Sequence, residues 1–232
     1  GVSAGNRRDC AGSLDKHRLT WLQLADSAGM ATGIVSTARL THATPAATWT
    51  HSPDRNWEHD GNLPAQAVAD GCVDIARQMI ATPYGRGPQV LLGGGRAKFM
   101  PVTQADPEHA GKTGQRRDGR DLVAEWKATH PGGVYVWNRE QLQAARGAPA
   151  VLGLFEPDHM QYEHDRDRAA EPSLAELTAE AIRRLAQDPN GFVLLVEGGR
   201  IDHANHEGNA FRALDETIAL SDAVRAAQET AP

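Results

Sequence analysis

The sequence predicts an α/β fold: a central, mostly parallel sheet flanked by helices. Two observations predict it. Short apolar runs rich in β-branched residues alternate with amphipathic stretches, and the runs are bounded by Gly, Pro or Asn, as buried strands of a parallel sheet are. Size is the third constraint, since 232 residues suit one large domain or a piece of a larger one.

Taken in order, a helix is expected from Leu14 to Ala28, then the strand "GIVST" (33 to 37), a helix from Pro64 to Ile80, and the strand "QVLLGG" (89 to 94). A polar surface excursion follows, from about 96 to 121, ending in "RRDGRD". After a helix from Leu122 to His130 come the strands "VYVW" (134 to 137) and "VLGLF" (151 to 155), and a second polar excursion at 157 to 172. Long excursions in a compact α/β pattern are often functional. The next helix, Leu174 to Gln187, opens on "PSLAE": Ser173 caps it and Glu176 reaches back three residues later, a capping box. Its positions Leu174, Leu177, Ile182 and Leu185 form a buried stripe. The strand "FVLLVEG" (192 to 198) precedes a long helix from His206 towards the end.

The net charge of -6, from 24 basic and 30 acidic residues, is spread along the chain, which argues against a nucleic-acid partner. There is no run of about eighteen apolar residues and no signal-peptide pattern, so neither a membrane span nor a leader is expected in these residues. No N-x-S/T sequon occurs. Cys10 and Cys72 lie far apart without zinc spacing. They are either two unrelated thiols or one long-range disulfide, and the second would imply an oxidising compartment.

Two stretches carry chemistry. In "GFVLLVEGGRIDHANHEG" a strand ends at Glu197, two glycines follow, and a helix begins; ligands of open parallel sheets bind at this carboxyl edge. Asp202 and His206 are four residues apart and share a helix face, with His203 beside them. A carboxylate and an imidazole suit zinc, whereas Glu197 suits a harder ion such as magnesium. A lone D-x-x-x-H is commonly just a helix cap with solvated histidines; the Gly-Gly pair, the strand end and the third acid favour a metal site. The second stretch, "STARLTHATPAATWTHSPDRNW", follows "GIVST" at the same edge and offers His42, Thr44, His51, Asp54 and Arg55. Arg55 has the planar donor set that grips a phosphate dianion, although an arginine after a loop is more commonly a surface residue.

"THATPAATWTHSPDRNWE", "VLLGGGRAKFMP", "YVWNRE", "GLFEPDHMQYE" and "GFVLLVEGGRIDHANHEGNAFRALDETIALSDAV" together resemble the animal-type alkaline phosphatases, in the same order from end to end of the chain. The resemblance implies phosphate monoester hydrolysis through a phosphoserine, with two zinc ions and a magnesium. It implies zinc ligands at Asp202 and His206, magnesium ligands at Glu197 and Thr44, His42 and His203 around the magnesium region, and Arg55 as the phosphate clamp. It further implies a calcium site of Glu108, the Phe155 carbonyl, Glu156 and Glu171, an all-oxygen set that suits calcium, although relatives usually carry Asp at the last position. Cys10 and Cys72 match a family disulfide.

The family's nucleophile motif is expected upstream of "GVSA", and the zinc-bridging aspartate and later zinc ligands also have no match here. "DSAGMATG" contains Asp26 and Ser27, but its place before "GIVST" makes it a helix end with Gly29 as the cap. The resemblance therefore implies that residues 1–232 are an internal portion of a single alkaline phosphatase domain, with the sheet incomplete at both ends. The parent is expected to act on small phosphate monoesters at alkaline pH as a homodimer, outside the cell, at its surface or in a periplasm. The alternative is a truncated, non-catalytic protein retaining a calcium site; a sulfatase or phosphodiesterase relative is weaker, because Arg55 and the Gly-Gly context follow the monoesterase pattern.

Overall fold

A computed structural model describes residues 8–81 and 85–232. Its elements in chain order are helix α1 (Trp21–Ser27), strand β1 (Ala31–Arg39), helices α2 (Ala43–Trp49), α3 (Ala65–Ala69) and α4 (Ile75–Ile80), strand β2 (Val90–Gly94), helix α5 (Leu122–Thr129), strand β3 (Val134–Val136), helix α6 (Arg139–Ala144), strand β4 (Val151–Leu154), helix α7 (Leu174–Leu185), strand β5 (Phe192–Glu197) and helices α8 (Arg200–His206) and α9 (Ala210–Thr230). The strands form one sheet in the order β3-β4-β2-β1-β5, and every pairing is parallel. All five expected strands are present, and the mostly parallel sheet is as expected.

Alternation along the strands sorts the core into two layers. Ile34, Leu91 and Leu152 face α1, α2, α4 and α5, where Leu22, Trp49, Met79 and Trp126 fill the space. Val35, Leu92 and Val151 face the opposite way onto Leu174, Leu177, Ala181 and Leu185 of α7. The expected stripe of α7 is buried throughout, and its capping box forms, with Ser173 Oγ accepting from Glu176 N and Glu176 Oε2 accepting from Ser173 N.

Three expected helices are broken by local backbone chemistry. The first becomes a 3-10 turn, Ala11–Lys16, and then α1, because Thr20 and Gln23 build their own capping box at a second start. The second divides into α3 and α4: Gly71 takes a left-handed φ of 88° and Asp74 caps a fresh N-terminus by accepting from Arg77 N. The last begins at Arg200, six residues before the expected start, and is interrupted after His206, where Gly208 has φ 67°. Helices α2 and α6 have no counterpart in the sequence reading.

The 96–121 segment is largely irregular, held by two isolated bridges, Pro101 with Arg116 and Ala105 with Thr113. Two arginines with no exposed surface tie it down. Arg96 grips Asp106 through Nε and Nη2 (both 2.9 Å) and donates Nη1 to the Leu154 carbonyl. Arg116 makes a bidentate contact with Asp74 (2.9 and 3.0 Å). A stretch that reads as surface thus inserts its guanidiniums into the body, satisfied by fork-shaped pairing. Cys10 and Cys72 form a disulfide with S–S 2.10 Å and Cα–Cα 5.9 Å, which settles the open reading of the two cysteines. Among the described residues no helix is long and apolar enough to cross a membrane.

Candidate metal and phosphate site

The carboxyl ends of β1, β4 and β5 deliver the candidate residues to one edge of the sheet. After β1 the chain turns through Leu40 and Thr41 into α2, leaving His42 at the helix N-cap and Thr44 in its first turn. Arg55 stands on the following loop, exposed, with Nη2 2.9 Å from His42 Nε2. Glu197 is the last residue of β5. Its Oε2 accepts from Ser36 Oγ of the adjacent strand at 2.6 Å, and Oε1 makes no hydrogen bond among the described residues. Next come the two glycines and α8, whose one face carries Asp202 and His206, 3.5 Å apart and largely exposed (68 and 79 % by side chain). His203, one residue along, turns inward.

His203 meets His42 with ring centroids 5.2 Å apart, and a third ring lies between them. His159, on the loop after β4, is 5.1 Å from His42 and 4.2 Å from His203 by centroid. One ligand atom from each of the three lies within 4.8 Å of the other two. The loop is placed by backbone ties, Gly95 N to the Asp158 carbonyl (2.6 Å) and Met160 N to the Thr37 carbonyl (3.0 Å). All three imidazoles are held neutral. Burial and then the Arg39 guanidinium push His159 down to about 2; burial and then Arg200 push His203 to about 4; burial, Arg39 and Arg55 lower His42.

His159, Arg39 and Arg200 are the members of this edge that the sequence reading missed. His159 lies four residues beyond Phe155, in "PDHMQYE", so its nearness to a strand's carboxyl end was the available signal; the surrounding polar run obscured it. Ser27 is the last residue of α1 and Gly29, at φ 85°, follows it as a C-terminal cap. Asp26 accepts from Arg86 N at 2.6 Å. Asp26 and Ser27 thus stand at the end of the helix that precedes β1.

Away from the edge, Glu108, Glu156 and Glu171 gather near the start of the second excursion. Glu171 is 5 % exposed, and burial together with the neighbouring Glu156 carboxylate pushes it up to about 9. Gln161 N donates to Glu171 Oε1 (3.1 Å), and His109 Nε2 lies 3.0 Å from Glu156 Oε2. Glu108 is paired with Arg96 at 2.7 Å, yet burial raises it as well. Phe155, also buried, donates its backbone N to the Gly93 carbonyl.

A family model described as alkaline phosphatase matches residues 1–232. The chain belongs to the alkaline phosphatase family. It is 46% identical over 233 residues to the tissue-nonspecific alkaline phosphatase isozyme of Gallus gallus, covering 97% of this chain and 44% of that protein. It is 43% identical over 239 residues to the membrane-bound alkaline phosphatase of Bombyx mori, covering 99% and 43%. Among solved structures, alkaline phosphatase from Thermus thermophilus superposes with a TM-score of 0.70 at 33% identity, over 96% of this chain and 43% of that one. A cold-active alkaline phosphatase from a Shewanella species gives 0.66 at 28%. The chain thus spans less than half the length of these alkaline phosphatases, and its five-stranded sheet is part of an alkaline phosphatase fold.

Proposed function

We propose that these residues form an internal portion of an alkaline phosphatase domain, whose whole protein hydrolyses small phosphate monoesters outside the cell, at its surface or in a periplasm, as a homodimer. One observation carries the reading: an unbroken series of contacts along the carboxyl edge runs from Arg55 to His42, from His42 to His203, and through α8 to Asp202 and His206. It joins an anion-binding guanidinium to metal-ligating groups.

The residues fit the ions. Asp202 and His206 are converged and open to solvent, which suits two ligands of a zinc that keeps a position for water. Glu197 keeps one oxygen unused, and the exposed Thr44 hydroxyl makes no hydrogen bond among the described residues, so an oxygen-seeking magnesium is supplied. Glu156 and Glu171 stand against each other in a buried place, and a calcium bound by them, Glu108 and the Phe155 carbonyl would offset that repulsion. When bound, zinc supplies Lewis acidity and an activated water. This chain's own residues orient: Arg55 holds two phosphate oxygens in its planar fork, and Asp202 and His206 fix the position of the ion. The serine nucleophile is assigned outside residues 1–232, and Ser27 takes no step.

Asp202→Ala in the full-length protein tests the reading. Zinc content and turnover of p-nitrophenyl phosphate should fall together, turnover by about 100-fold or more, the scale of losing a metal-held reactant. Unchanged zinc with an unchanged rate overturns the assignment. Calcium binding without any hydrolysis by the unaltered protein would favour the non-catalytic alternative instead.

A further inference from the structure

His42, His159 and His203 are, among the described residues, the cluster with ligand atoms close enough for a metal ion. Three imidazoles are a nitrogen set of the kind zinc, cobalt(II) and copper prefer and magnesium does not. Such a trap beside Glu197 and Thr44 would draw transition metals to a corner whose oxygen ligands suit magnesium. The hydrogen bonds around the rings answer this difficulty.

Each ring has an arginine against it. Arg55 Nη2 lies 2.9 Å from His42 Nε2, Arg39 Nη1 2.7 Å from His159 Nε2, and Arg200 Nη1 3.0 Å from His203 Nδ1. A guanidinium has donors and no acceptor. A neutral imidazole has a single lone pair, and the nitrogen that accepts from an arginine is the one a metal would need; the other carries the proton. His159 has a second Arg39 donor, the backbone N 3.1 Å from Nδ1, so its single lone pair is taken by Arg39 in either tautomer. Neither of its nitrogens faces an open position.

Two of the three arginines are fixed in place. Arg39 donates Nε and Nη2 to the two oxygens of Glu58, both at 2.8 Å, and Nη1 to Asp158 at 2.5 Å; Thr41 Oγ1 holds Glu58 from behind at 2.5 Å. Arg200 has its guanidinium carbon 3.7 Å from the centre of the buried Tyr162 ring, a cation–π contact. Tyr162 is itself tied by its hydroxyl to Glu207 at 2.8 Å. Arg55 is exposed and has no carboxylate partner among the described residues, so it is free to leave His42 for a phosphate.

We propose that Arg39 and Arg200 are metal-selectivity residues: they keep His159 and His203 engaged as hydrogen-bond acceptors, leaving His42 alone when Arg55 moves away, so that this three-histidine cluster does not coordinate a transition-metal ion. The benefit, keeping the adjoining oxygen corner for magnesium, rests on the functional reading above. The guarding itself does not, and it is read without any activity.

The test is cobalt(II) stoichiometry and visible absorption of the purified full-length protein, with folding verified by circular dichroism. The parent should bind the same number of cobalt ions as its His159→Ala variant, with the same spectrum. The Arg39→Met/Arg200→Met double variant should bind one cobalt more per chain, with an added d–d band that disappears when His159→Ala is introduced as well. A parent that loses a cobalt ion or a band on His159→Ala overturns the proposal, and so does a folded double variant that gains neither. Should the double variant fail to fold, Tyr162→Leu against Tyr162→Phe decides: Leu removes the ring that seats Arg200 and should admit cobalt at His42 and His203, abolished by His203→Ala, while Phe keeps the ring and should not. Admission by both or by neither sinks it. None of these outcomes depends on hydrolysis, so failure here and failure of the phosphatase reading are separate results.

Discussion

Strands β2 and β5 carry similar apolar runs, "VLLGG" and "FVLLVE", and the molecule treats them differently. β2 lies between β1 and β4 and is buried at every position; β5 pairs with β1 alone among the described residues and is half-buried at every position. The contrast extends to what surrounds them. On the β2 side the 96–121 segment closes over the sheet and is pinned by Arg96 and Arg116. On the β5 side α8 holds Asp202 and His206 out in solvent, and α9 leaves Phe211, Leu214, Ile218 and Val224 exposed. An apolar run specifies a strand, but burial comes from the neighbour it finds. The candidate metal and phosphate residues sit at the seam, where β1 joins the closed side to the open one.

The largest effect expected is on the closed side. Asp74→Ala takes one of the two hydrogen-bonded carboxylates from the buried Arg116 guanidinium, leaving Asp118 at 2.6 Å, and also uncaps α4, a combined loss of about 3–5 kcal/mol. Urea denaturation should show that loss. A change below about 1 kcal/mol would mean that the excursion is not anchored by this pair and that the closed side is no firmer than the open one.

A matched pair of truncations sharpens the comparison directly. Leu91→Ala on β2 removes a side chain with no exposure and should cost about 2–5 kcal/mol. Leu194→Ala on β5 removes one already half in water and should cost about 1 kcal/mol. Equal losses in the full-length protein would show that β5 is covered there by further chain, and the openness described above would belong to residues 1–232 alone.

The smallest effect is in acid, and its sign differs between the two sides. Burial disfavours the charged form of Asp118, but hydrogen bonds from Arg116 and Arg120 outweigh it and hold the carboxyl below its ordinary 3.8. Its contribution is present above that value and lost as pH falls through the lower, folded one. Glu216 of α9 is raised above 4.5, by burial first, despite accepting from Glu163 N. Its contribution is full below 4.5 and lost as pH rises through the folded value. At neutral pH, Asp118→Asn should therefore lower the melting temperature and Glu216→Gln should raise it, by a few degrees at most. The same sign for both would remove the distinction between the sides.

Much of this was legible in the residues. Five strands, the α7 cap with its stripe, Glu197 at a strand end and the four-residue spacing of Asp202 and His206 follow from periodicity and capping, which act over a few neighbours. The helix breaks at Thr20 and Gly71 were missed because an apolar pattern continues across a capped restart. Arg96 and Arg116 were read as surface because a charge's burial depends on partners elsewhere in the chain: Asp106 is ten residues away for Arg96, and Asp74 is 42 residues away for Arg116.

The sequence by itself determined which segments become strands, where α7 begins, and which residue types could serve a phosphate or a divalent ion, since propensity, capping and ligand chemistry are local. Only the tertiary structure decided that His159 joins His42 and His203, that three guanidiniums occupy their ring nitrogens, and that one apolar strand is buried while its counterpart is not. Those depend on which strand ends meet, across separations such as the 120 residues between Arg39 and His159, and no local pattern records such a meeting.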